Sequence, residues 1–131
     1  MDKEIIKEYH SIIKNKISQS RIESAMGNIE KLLLNFPDDE YGYYYKGVCE
    51  FALNNHKEAI KAYLKAIKLN PAFAKAYFNL GACYYDYNDY DNALINIAKA
   101  MILFSKLKQL DLKERCVKTI KLIEAERQRK C

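Results

Sequence analysis

Tryptophan is absent from this sequence, and glycine and proline are scarce, with four and two residues among 131. With so few breakers, long stretches run uninterrupted, and their apolar residues do not alternate as exposed strands would, so helices are expected. Long apolar runs are also missing. Ile102–Phe104 is far too short to cross a bilayer, and Met1 leads straight into the charged segment Asp2–Glu4 without a signal-type apolar block. The expected location is therefore cytoplasmic. Cysteine pairs at metal-binding spacing are lacking too. Cys49, Cys83, Cys116 and Cys131 contain no C-x-x-C, and His10 and His56 form no ligand cluster with them, so neither a metal nor a cofactor is expected. A chain this apolar does not need disulfide staples, which favours reduced, buried thiols. Cys131, at the terminus, is expected to be exposed and oxidisable. It is not in a prenylation context, which needs three further residues after the cysteine.

Charge of one sign is not abundant either. The 22 Lys and Arg against 17 Asp and Glu leave a net charge of +5. Residues 108–131 hold eight basic and four acidic residues, so almost all of the excess sits there and the first 107 residues are nearly balanced. A nucleic-acid binder needs a basic face aimed at phosphates, and this distribution does not supply one.

What is present is an apolar half of the composition, enough for a continuous core, and an internal period. Shifting the sequence by 34 residues aligns Tyr43 with Tyr77, Gly47 with Gly81, Cys49 with Cys83 and Asn54 with Asn88. It also aligns Ala59 with Ala93, Lys65 with Lys99, Ala66 with Ala100 and Leu69 with Leu103. Small residues recur where two helices would approach, and an aromatic recurs near the start of the first. A period of this length is the signature of a helical solenoid.

The run Tyr77-Phe78-Asn79-Leu80-Gly81-Ala82-Cys83-Tyr84, followed by Tyr90-Asp91-Asn92-Ala93 and Ala100, resembles the tetratricopeptide (TPR) repeat. Residues 74–107 match its pattern at Tyr77, Leu80, Gly81, Tyr84, Ala93 and Ala100, with Ser105 in place of the usual Pro. Residues 40–73 match at Tyr43, Gly47, Ala59, Tyr63, Ala66 and Pro71, while Lys46 and Glu50 replace apolar residues. A degenerate copy at about residues 6–39 keeps Tyr9, Ala25, Leu32 and Pro37 in phase but has Ile13 where the Gly belongs. The resemblance implies an all-α, right-handed superhelical solenoid of antiparallel helix pairs. About three TPR-like repeats would be followed by a C-terminal capping helix, in a single domain spanning residues 1–131.

Helices are expected at about 3–16, 21–34, 40–53, 56–69, 74–87, 90–106 and 111–129. Ser18 or Ser20 is expected to cap the second, Pro37 and Pro71 to follow the second and fourth, and Asp111 with Glu114 to form a capping box for the last. In the last segment Leu112, Cys116, Ile120 and Ile123 form an apolar stripe with the basic residues largely elsewhere, as a solenoid cap requires. The narrow stripe argues against a membrane-surface helix.

In proteins similar to this family, the first helix of each pair lines an inner groove. Carried onto this chain, the groove positions are Tyr41, Tyr44, Val48, Phe51 and Ala52, then Lys75, Phe78, Ala82, Tyr85 and Asp86. The degenerate copy adds Lys7, His10, Lys14 and Ile17, and the last helix adds Lys113. Eleven Tyr exceed what a core of this size needs, and Tyr is a rigid, amphipathic contact residue. One TPR subclass clamps a C-terminal carboxylate with Lys, Asn and Arg side chains. In the register beginning at residue 40, Asn79 and Lys113 fit, but Tyr44, Val48 and Gln109 stand at the other positions. In the register beginning at residue 6, Lys75 alone is a good match, so no clamp is assembled. The expected partner is a protein or peptide of apolar or mixed character. Bacterial secretion chaperones with three such repeats are an architectural analogy.

No catalytic constellation is evident. His10 and His56 lie in different repeats, no G-x-x-x-x-G-K-S/T occurs, and Asp86, Asp89 and Asp91 lack the Gly and Glu of a calcium loop. The expectation is a non-enzymatic adaptor or chaperone-like scaffold. Its rivals are a self-associating module, such as a homodimer, and a single-stranded nucleic-acid binder.

Glycine inside a helix costs about 1 kcal/mol relative to Ala, so its recurrence at 47 and 81 points to positions where a Cβ would meet the paired helix, with Ala59 and Ala93 opposite. Gly81→Leu should therefore destabilise the fold by about 1–3 kcal/mol through overpacking, measured by chemical denaturation. An unchanged unfolding midpoint and slope would reject the assignment.

Overall fold

A computed structural model describes residues 1–130, and the expectations for Cys131 fall outside the described residues. They form α1 (Asp2–Ser18), α2 (Ile22–Asn35), α3 (Glu40–Ala52), α4 (His56–Leu69), α5 (Ala74–Asp86), α6 (Tyr90–Lys106) and α7 (Leu110–Lys130). No strand occurs among the described residues. The helices group into two compact units, Met1–Pro71 with α1 to α4 and Ala72–Cys131 with α5 to α7.

The ends of these helices follow from local chemistry. Asp39 caps α3 by accepting the Gly42 amide at 2.9 Å, and Asp89 caps α6 by accepting the Asn92 amide at 3.2 Å. Helices α2 and α4 stop just before Pro37 and Pro71, as the missing N–H of proline requires. Two capping expectations are corrected. Neither Ser18 nor Ser20 caps α2, which follows Arg21 without a side-chain cap. Ser18 instead donates its hydroxyl to the Asn15 carbonyl at 2.7 Å, and Ser20 lies in the left-handed region at φ 60°. Asp111 lies inside α7, which begins at Leu110, so it is a first-turn acid favoured by the helix dipole and not the cap of a capping box.

Four of the turns share one geometry. Among the described residues, Ser20, Asn54, Asn88 and Lys108 are the non-glycine residues with positive φ. In each turn the next amide reaches back to close the preceding helix. Arg21 N–H bonds the Lys16 carbonyl at 2.8 Å, Asn55 the Glu50 carbonyl at 2.8 Å, Asp89 the Tyr84 carbonyl at 3.0 Å and Gln109 the Phe104 carbonyl at 2.9 Å. This is the Schellman closure, which satisfies carbonyls that would otherwise end unpaired. Ser20, Asn54 and Asn88 recur at the 34-residue period, so the α1–α2 turn shares the form of the two turns after it. Asn tolerates the left-handed region, whereas Ser and Lys bring a Cβ penalty.

At the two periodic glycines the paired helix leaves no room for a Cβ. A Cβ on Gly47 would lie 2.5 Å from the Tyr63 ring, and one on Gly81 would lie 2.5 Å from Ile97 Cγ1 and 3.1 Å from the Ala93 carbonyl oxygen. The bulk nearest each glycine is therefore the Tyr63 ring at Gly47 and the Ile97 side chain, with the Ala93 carbonyl, at Gly81. Ala59 and Ala93 are fully buried. Beside each glycine a second contact repeats, with Lys65 Nζ 5.8 Å from the Tyr43 ring centroid and Lys99 Nζ 5.7 Å from that of Tyr77. In the first unit Ile13, Ala25, Ile29, Leu32 and Cys49 form a buried core cluster. In the second, Ala93, Ile97, Ala100 and Phe104 of α6 close against Cys116 and Ile123 of α7.

Replacing the strained lysine of the α6–α7 turn should stabilise the protein. Lys108→Gly is expected to raise stability by about 0.5–1 kcal/mol, the relief of left-handed strain exceeding glycine's greater unfolded entropy. Asn54→Gly should change it by less. Urea denaturation of both variants tests the ranking.

Candidate functional site

Helix α5 presents Phe78, Ala82 and Tyr85 along one side, half-buried, at helical spacing. Together with Ile97 of α6 and Thr119, Leu122 and Ile123 of α7, they line a cavity of about 200 Å³. Its surroundings are mostly apolar and its two ends differ. The Arg115 guanidinium lies 5.3 Å from the Phe78 ring centroid. At the opposite end the Tyr85 hydroxyl donates to Glu126. That hydrogen bond, followed by desolvation, pushes the Tyr85 pKa above its ordinary value, because ionisation would place a second negative charge beside the carboxylate.

The C-terminal turns of α7 are tied to the same unit by polar contacts. Arg127 Nη1 donates to Asp91 at 2.8 Å. Lys130 Nζ donates to the Tyr90 hydroxyl at 2.7 Å and sits 5.3 Å from its ring centroid, and the hydroxyl contact raises the lysine pKa. Helix α7 is thus a cap over α6 whose Arg115, Thr119, Leu122 and Glu126 border the expected binding face of α5.

In the first unit the expected residues of α3 lie among other rings. Tyr41 and Tyr44 stand 6.3 Å apart, Tyr41 is 5.2 Å from His10 of α1, and Tyr44 is 6.0 Å from the buried Tyr63. Tyr45, absent from the expected set, joins them at 5.5 Å from Tyr44. Burial, with Tyr44, Tyr41 and Asp39 nearby, raises its pKa. His10 Nε2 lies 2.7 Å from Asp39 Oδ2, so the carboxylate that caps α3 also holds α1 to it. Phe51 packs against His56 at 5.0 Å, while His56 Nδ1 sits 3.2 Å from the Asn54 carbonyl oxygen. Val48 is half-buried, and Ala52, Lys7 and Lys14 are exposed. In the second unit Lys75 and Asp86 are exposed and Lys113 is half-buried.

Sequence reasoning thus named the α5 side of the cavity but missed the α7 side. Arg115, Thr119, Leu122 and Glu126 recur at i, i+4, i+7 and i+11, one face of a helix, beside the apolar stripe through Cys116 and Ile123. That second face was a readable signal. Leu122, at 72% exposed, is the apolar residue on it.

No helix among the described residues is long and apolar enough to cross a membrane. Among the described residues no group of three or more His, Cys, Asp or Glu is placed to hold a metal ion.

A family model described as the TPR repeat matches residues 49–88, in agreement with the repeat resemblance. Solved structures extend the likeness over nearly the whole chain. The type III secretion translocator chaperone SycD of Yersinia enterocolitica matches with a TM-score of 0.88 at 16% identity, covering 98% of this chain and 89% of that one. PcrH in complex with the chaperone binding region of PopD matches with a TM-score of 0.88 at 15% identity, covering 97% and 96% of the two chains. The TPR2B domain of yeast Sti1, solved as a pHsp70 complex, matches with a TM-score of 0.85 at 19% identity, covering 92% and 97%. At these identities the likeness is one of fold: an all-α, TPR-type arrangement of helix pairs.

The thiols yield a measurable consequence. Burial pushes the Cys49 pKa to about 11 and the Cys83 pKa to about 12, and also raises that of Cys116. At pH 8 all three should resist iodoacetamide in the folded protein and react once it is denatured, read by peptide mass spectrometry. A raised folded-state pKa means that the associated stability is complete below the ordinary thiol value of 9.0. It is lost as pH climbs through about 11 to 12, because the unfolded chain ionises first.

Proposed function

We propose that the chain is a protein-interaction scaffold, adaptor or chaperone-like in character, that holds a partner peptide or helix against the first helices of its repeats. The observation that carries this reading is the cavity of about 200 Å³ at Phe78, Ala82 and Tyr85, three positions that the repeat resemblance assigns to a groove. Its size suits one or two apolar side chains and is below that of a typical small-molecule site. In the first unit, Tyr41, Tyr44, Val48 and Phe51 would supply aromatic and apolar contacts with Lys14 as a cation. In the second, Lys75 and Lys113 would flank the cavity. Similar folds support the same reading, since PcrH is described in complex with the chaperone binding region of PopD, and SycD with a peptide of the translocator YopD.

A carboxylate-clamp ligand is not proposed, because Tyr44 and Val48 occupy clamp positions and carry no cationic or amide donor. The scaffold reading assigns no catalytic step to any residue. Three buried thiols with raised pKa values fit a reducing compartment, and the cytoplasm is the setting we favour.

Selection from a displayed random-peptide library tests the site. Wild type should enrich peptides with a central apolar residue, and Ala82→Leu, which fills the cavity, should lose them while its circular dichroism stays helical. Equal recovery of the same peptides by wild type and Ala82→Leu would reject the α5 site.

A further inference from the structure

The two ends of the α5–α7 cavity carry opposite charge. Beside Phe78 stands Arg115, and a cation–π contact leaves a guanidinium's N–H donors available to a carboxylate in a bidentate pair. Lys75, exposed and three residues before Phe78 on the same side of α5, adds a second positive charge at that end. Beside Tyr85 stands the Glu126 carboxylate, which accepts the tyrosine hydroxyl. Asp86 follows on α5, close enough to bear electrostatically on Tyr85. Of the nearby cations of α7, Arg127 is paired with Asp91. Lys130 donates to the neutral Tyr90 hydroxyl and keeps its charge, close enough to Glu126 to interact with it. Glu126 is the charged group hydrogen-bonded to Tyr85.

Resting on the peptide-binding reading, we propose that this cavity selects an aliphatic side chain accompanied by a carboxylate on its Phe78 side. The ligand is then an acidic–aliphatic peptide segment bound in one direction. The aliphatic group enters between Ala82 and Leu122, where the walls offer almost no polar partner. Its acidic neighbour pairs with Arg115. Reversing the segment would bring that carboxylate to Glu126, where like charges repel. Phe78 and Tyr85 are seven residues apart on α5, a rise of about 10 Å. That length corresponds to roughly three residues of extended peptide, which places the acid one to three residues from the aliphatic side chain.

The test uses two pools of fluorescein-labelled heptapeptides, blocked at both termini, each with a central Leu. One pool carries Glu one to three residues before or after it, and the other carries Lys there. Binding to the full chain is followed by fluorescence anisotropy. Wild type should prefer the Glu pool by on the order of tenfold, the scale of a hydrogen bond to a charged group. Arg115→Glu should reverse the preference, and Ala82→Leu should abolish binding of both pools. Arg115 is exposed on α7, so its variant keeps the test decisive if Ala82→Leu proves unable to fold. Equal affinity for the two pools, or an unchanged preference in Arg115→Glu, overturns the proposal. If Ala82→Leu still abolishes binding in that case, the peptide site stands and only its charge selectivity falls. Undiminished binding by folded Ala82→Leu removes the site itself.

Discussion

Much of this structure depends on how closely two antiparallel helices can approach within a pair. At Gly47 the aromatic ring of Tyr63 occupies the space of a missing Cβ, and at Gly81 the Ile97 side chain and the Ala93 carbonyl do the same. The bulk is asymmetric: one helix contributes nothing, and the other contributes a large side chain that fills the gap. A glycine in mid-helix sacrifices helix propensity, and dense packing offsets that loss. The Tyr43–Lys65 and Tyr77–Lys99 contacts flank these sites in the same phase, so each pair is fixed by a core contact and by a cation above a ring.

The turns complete that constraint. Helices packed tightly side by side need a short reversal between them, and the left-handed residue with its backward amide bond supplies one. Asn suits this position at 54 and 88, because its side chain tolerates the left-handed region. Ser20 and Lys108 adopt the same conformation without that advantage. Closure of the helix end by the backward amide bond outweighs the local strain there.

In the second unit the capping helix serves core and surface together. Cys116 and Ile123 of α7 close the core against α6, while Leu122, the neighbour of Ile123, remains largely exposed at the cavity. A helix turns by about 100° per residue, so adjacent residues are assigned to different surroundings. The aromatics Phe78 and Tyr85 occupy a similar boundary. Each packs against the core cluster with part of its surface and lines the cavity with another. Packing against the core and lining the cavity are therefore not alternatives at these residues, and Arg115 and Glu126 contact the two rings from the cap.

The sequence by itself determined the elements and their period. Scarce breakers, periodic glycines and phased alanines marked the helix pairs to within about two residues, because hydrophobic period and turn chemistry are local properties. It also marked Tyr41 and Tyr44 on α3, and Phe78 and Tyr85 on α5, as expected groove positions. Two local details went astray, the caps at Ser18 or Ser20 and at Asp111, because a cap depends on where the backbone leaves helical geometry, and side-chain type alone does not fix that point. Tertiary structure decided which bulk lies nearest each glycine, Tyr63 at Gly47 and Ile97 with the Ala93 carbonyl at Gly81. It also decided that Arg115 and Glu126 meet Phe78 and Tyr85. These pairings join residues far apart in the chain, and their partners are set by how α7 settles on α6, which no local periodicity encodes.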